Sequence, residues 1–202
     1  MEQTGKEGHK DSQALLNDYY DTLVERLESG KPLYFSNSDR SHNAMVMKFM
    51  LNKSSIINMY CGEMSVFRKS FYDHIEKDSS ELIARNLIDD ISRSLDLFLN
   101  KDDVQFNIIV ETYKEEYLND LICGEAFSLG IREKKINLFK LKDDSFKNKF
   151  DHFTVSDAKL VRLEEDKDKH IAICSLNHDD IYHRAKTSFL KMMSISEPIP
   201  VS

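Results

Sequence analysis

The stretch FDHFTVSDAKLVRLEED, residues 150–166, holds the side chains best suited to chemistry in this chain. His152 offers an imidazole for nucleophilic attack or proton transfer, and Asp157 a carboxylate that would orient it. They are five residues apart, and along a strand an odd separation sends side chains to opposite faces. His152 therefore reads either as a displaced nucleophile or as a half-buried strand histidine. Asp157 reads as the opener of the turn at Ala158-Lys159, where its carboxylate accepts from backbone amides. Further along, Asp179 and His183 lie four apart on one helical face, but two ligands do not make a metal site. A capped, solvated helix start accounts for the same residues, and His42 and His74 have no ligand partner at a diagnostic spacing. No metal or cofactor is expected, and no glycine-rich phosphate loop occurs.

Arg132, Lys134, Lys135, Lys140, Lys142, Lys147 and Lys149 form the one basic segment, against Glu133, Asp143 and Asp144. Lys134 and Lys135 are candidates for local phosphate contacts, set against a solvated loop. The chain as a whole is acidic: 35 carboxylates against 28 cationic side chains give a net charge of −7, which repels polyanions at long range. Nucleic-acid binding is thus expected to be local and weak. Cys61, Cys123 and Cys174 are odd in number and sit in apolar surroundings, which fits buried thiols in a reducing compartment. The first residues are polar and nowhere do eighteen apolar residues run together, so a cytoplasmic protein without membrane spans is expected.

The elements that must position these groups follow from periodicity. Leu15 to Leu27 recur at helical spacing and stop at Gly30 and Pro32; residues 44–50 give a short helix with a methionine-rich face, expected to be core. A strand from Ser55 to Cys61, a helical stretch 65–100 broken near 77–80, a strand Val104–Val110, a helix over 117–126 and a strand from Ile136 follow. This order predicts a mixed, mainly parallel sheet with helices on both faces. FTVSD, LVRLEE and HIAICSL, joined by tight polar turns, predict antiparallel strands in the C-terminal third, and Asn177 is expected to cap a last helix. Residues 1–13 are expected as a disordered tail, 14–195 as a single α/β domain, and 196–202 as a frayed C-terminal tail.

That C-terminal third resembles the phospholipase D superfamily. The family's strand motif, H-x-K-x-x-x-x-D, is matched in register by Phe153, Val155 and Asp157, and the strand HIAICSL and a helix with Ala185 and Phe189 follow. In this register Phe150 stands at the family's nucleophilic histidine and His152 at its lysine. LVRLEE replaces the G-S-x-N element, and Glu164 and Glu165 would repel a phosphate. The resemblance implies a phospholipase D-like fold whose chemistry has been lost, acting by binding or assembly. The alternative is a metal-independent phosphodiesterase or nuclease drawing on His152 or His170. The surface left near His152, Asp157, Arg162 and Glu164 is the expected binding place. A single motif implies pairing in a homodimer, and a protein partner is also possible. The reading further requires the strand at 150–155 to lie mid-sheet between one parallel and one antiparallel neighbour.

Overall fold

The β-branched and aromatic runs become strands whose alternate residues face opposite ways. In the computed structural model, which describes residues 4–37, 39–166 and 171–200, these runs form one mixed eight-stranded sheet in the order β1-β7-β6-β5-β2-β3-β4-β8. The strands are β1 (Leu33–Asn37), β2 (Ile56–Cys61), β3 (Gln105–Val110), β4 (Ile136–Leu141), β5 (Phe153–Ser156), β6 (Leu160–Asp166), β7 (Ile171–Leu176) and β8 (Ser196–Pro198). The helices are α1 (Thr4–Ser29), α2 (Arg40–Lys53), α3 (Lys69–Asp78), α4 (Glu81–Leu99), α5 (Glu116–Asn119), α6 (Gly124–Arg132) and α7 (Asp179–Ser194). None of these helices is long and apolar enough to cross a membrane.

The expected mixed α/β architecture is present, but the sheet is not mainly parallel: among the described residues five strand pairings are antiparallel and two parallel. Parallel pairing is confined to β2-β3-β4, where α3 with α4 and α5 with α6 supply the crossovers that parallel strands need. β5 lies mid-sheet as expected, but both of its neighbours, β2 and β6, are antiparallel to it. Residues 142–152 contain one 3-10 turn and no crossover helix, so the chain re-enters the sheet at the end where β4 left it. The supposed C-terminal tail contributes β8, which pairs antiparallel with β4, and α1 begins at Thr4, within the supposed N-terminal tail. Asn177 does not cap α7. His178 takes that position, while Asn177 Nδ2 donates to the carbonyls of Arg26 and Lys31 and ties the end of α1 to the β7–α7 turn.

Strand parity sorts the core in two. Ile57, Met59, Phe106, Ile108, Cys174 and Leu176 pack beneath α1, α2, α3, α4 and α6 in the larger cluster. Ile83, Leu87, Ile91, Leu95 and Phe98 form the buried stripe of α4, whose first turn is capped by Ser80. On the other face Tyr60, Ile109, Phe153, Val155 and Val161 pack against Phe189 and Met192 of α7. α7 packs on β2, β5 and β6, and beyond it Tyr34, Leu163 and Ile173 remain 56%, 41% and 40% exposed.

Candidate ligand-binding site

The carboxyl ends of β2 and β3 meet the start of β5, an edge where open α/β sheets commonly hold ligands. β2 is followed by Gly62, which lies against the His152 ring: a Cβ there would come within 3.2 Å of His152 Cε1. Pairing of β5 with β6 sets Thr154 opposite Arg162, and His152 accepts the Glu164 amide through its carbonyl. His152, Thr154, Arg162 and Glu164 therefore share the helix-covered face. With Val46, Met47 and Met50 of α2 they enclose a cavity of about 210 Å³. The methionine face of α2 is core, as expected, and also lines this cavity.

One polar chain crosses the cavity wall. Arg162 Nε donates to Asn43 Oδ1 at 2.8 Å and its NH2 to Glu164 Oε1 at 3.1 Å. Glu164 Oε2 lies 3.0 Å from His152 Nδ1, and His152 Nε2 lies 3.4 Å from Glu111 Oε2 without forming a hydrogen bond. Glu111 in turn accepts from the Tyr60 hydroxyl at 2.5 Å and from the Asn148 amide at 3.0 Å. Burial and the bond to Glu111 push the Tyr60 hydroxyl well above its ordinary pKa, so it stays a donor. Burial likewise pushes the Cys61 thiol on the cavity wall up to about 12. Both ring nitrogens of His152 face carboxylates, and its side chain is only 12% exposed. In either neutral tautomer the lone pair points at a carboxylate oxygen.

Three of the four residues expected around the site, His152, Arg162 and Glu164, come together. Asp157 does not join them: its carboxylate accepts from the Ser55 amide at 3.0 Å, at the opposite end of β5. Lys134 and Lys135 are also remote, in the turn that enters β4. Lys134 takes the left-handed position after α6 (φ 59°), and Lys135 Nζ donates to the Leu99 carbonyl at 2.6 Å and lies 3.4 Å from Glu133. Phe150 stacks on Phe146 and lines the groove beside α7, on the other face of the sheet from His152. Asp179 pairs with Lys159, and no group of three His, Cys, Asp or Glu side chains among the described residues is placed to hold a metal. His170 lies outside the described residues. Sequence reasoning missed Glu111, Tyr60 and Asn43; the only hint for Glu111 was a charge directly after the apolar run QFNIIV, at the carboxyl end of a strand.

No protein-family model and no curated protein matches the sequence. Solved structures do. TrmBL2, an archaeal chromatin protein described as showing a novel mode of DNA binding, is similar with a TM-score of 0.52 and 15% identity, over 96% of this chain. This chain spans 65% of the TrmBL2 chain. Nuc from Salmonella typhimurium, a phospholipase D family member, is similar with a TM-score of 0.50 and 12% identity, over 85% of this chain and 100% of Nuc. NucT from Helicobacter pylori gives a TM-score of 0.48 at 11% identity, over 84% of this chain and 99% of its own. Likeness at such identities speaks to architecture alone, and on that footing the chain has a phospholipase D-like fold.

Proposed function

We propose that this is a catalytically degenerate phospholipase D-like protein that acts by binding, through the cavity between α2 and the ends of β2, β5 and β6, and by assembly. The observation that carries the reading is the double engagement of His152: Glu164 meets one ring nitrogen and Glu111 faces the other. A nucleophile needs one lone pair directed at the substrate and a cation gripping the phosphate oxygens. Here both ring nitrogens face carboxylates, and Arg162, the cation lining the same cavity, is engaged by Glu164 and Asn43. The purified protein, incubated in chelator with single- and double-stranded DNA, RNA and a chromogenic phosphodiester, is expected to give no turnover above a buffer blank. Turnover abolished by His152→Ala would overturn the reading in favour of a phosphodiesterase with a displaced histidine.

Assembly as a homodimer belongs to the same proposal, from the resemblance to a family that pairs its motifs. The exposed apolar side chains of the α7 face, Tyr34, Leu163 and Ile173, give a second copy a surface to cover. A cytoplasmic setting belongs to the same proposal, because the side chains of Cys61, Cys123 and Cys174 are thiols.

A further inference from the structure

Resting on the reading of the cavity as a binding site, we propose that it receives the ring of a nucleobase, from a free nucleoside or from a single-stranded nucleic acid. The polar wall sets the ligand's charge. Arg162 and Glu164 present a cation and an anion 3.1 Å apart, and Glu63 at the rim is paired with Arg68 at 2.8 Å. A phosphate placed on Arg162 would meet Glu164, and an ammonium placed on Glu164 would meet Arg162. An uncharged ligand carrying a donor and an acceptor on one edge satisfies both. Arg162 has capacity for it: Nε is committed to Asn43 and NH2 to Glu164, while NH1 meets no acceptor among the described residues.

The apolar part of the lining sets the ligand's body. Met47 and Met50 of α2, Met59 of β2, Met64 and Phe71 are hydrocarbon, ring and thioether, with nothing to hydrogen-bond the hydroxyls of a sugar. Thioethers pack well on aromatic rings and adapt to their outline. Met64 is almost fully buried and held in the left-handed backbone region at φ 57°, a conformation unusual for a bulky side chain and concentrated at ligand clamps. Cys61, kept as a thiol, adds apolar surface and argues against a soft-metal site. Size fits as well. At about 210 Å³ the cavity falls below the roughly 300–1,000 Å³ of drug-sized sites. It has room for one ring system, with an attached sugar left outside.

The test is titration calorimetry with adenosine, guanosine, cytidine and uridine, beside inorganic phosphate, glucose and short homopolymeric single-stranded DNAs. At least one nucleoside or oligonucleotide is expected to bind, with neither phosphate nor glucose binding. An oligonucleotide displaced by its own nucleoside would identify a base presented by a polymer. Glu164→Gln, which exchanges one carboxylate acceptor for an NH2 donor and removes the charge, is expected to weaken binding at least tenfold. Val46→Phe, which fills the cavity from α2 without touching the polar wall, should abolish it, with circular dichroism checking the fold of both variants. Binding of phosphate, or oligonucleotide binding unchanged by both variants, would overturn the proposal. So would the absence of any nucleoside or oligonucleotide binding, an outcome that leaves the non-catalytic reading standing because that reading is judged by phosphodiester turnover.

Discussion

Glu111 shows how much of the site depends on single atoms. Its carboxylate is buried and accepts from Tyr60 and from the Asn148 amide, which fixes the oxygen that faces His152. Tyr60→Phe removes one buried donor while leaving its acceptor in place, and an unsatisfied buried group costs about 1–3 kcal/mol. Urea unfolding of Tyr60→Phe should register a loss in that range, whereas a loss under about 0.5 kcal/mol would mean that water replaces the hydroxyl. At this scale the sequence was only partly legible. Arg162 and Glu164 lie on β6 and His152 directly precedes β5, the neighbour that one tight turn joins to it, so local pattern brings the three close. Glu111 and Asn43 arrive from β3 and α2, whose placement against β5 depends on the whole sheet order. Asp157 does open the turn after β5, but its carboxylate accepts from the distant Ser55 amide and not from the amides of its own turn.

Among the elements, α2 carries one wall of the cavity, and its start is set by Asp39. The Asp39 carboxylate accepts from the His42 amide at 2.9 Å, and its other oxygen lies 3.1 Å from His42 Nδ1. Partial burial pushes the Asp39 pKa up, but the bonds from His42 outweigh it and hold the group below its ordinary 3.8. A carboxyl with a depressed folded pKa contributes stability that is present above 3.8 and lost as pH falls through the lower folded value. Asp39→Ala should therefore cost about 1 kcal/mol near neutrality. Urea titrations at successively lower pH should show the gap to the parent narrowing below 3.8. α6 is seated by a close approach: a Cβ on Gly130 would lie 2.8 Å from Ile136 Cδ1 and 3.0 Å from Leu99 Cδ2. Gly130→Ala gains helix propensity of about 0.5–1 kcal/mol but overpacks a buried contact, for a net loss of about 1–2 kcal/mol in thermal or urea unfolding. Adding Ile136→Val should return part of it. Apolar periodicity marked α4 and β2 through β4 well. It missed β1 and β8, short edge strands of five and three residues whose pairing comes from tertiary contact.

At the scale of the molecule, the two sheet faces are unequally covered, five helices packing on one and α7 on part of the other. The proposed homodimer predicts that light scattering at high protein concentration gives twice the mass of the chain, and that Leu163→Glu with Ile173→Glu shifts it to monomer. A monomer throughout the accessible concentration range would count against pairing. The net charge of −7, legible from composition alone, bears on the same surface: like-charged copies associate more readily as salt is raised. The inequality of the faces also governs what protein engineering could do here. Phe150 lies with Phe146 over the α7 groove, whereas His152 lines the cavity beneath α2, both in the segment before β5 begins. Writing a histidine at 150 and a lysine at 152 would spell the hydrolytic signature in letters yet leave its two groups separated by the thickness of the sheet. Installing hydrolysis would require re-routing residues 142–152 before any side chain is exchanged.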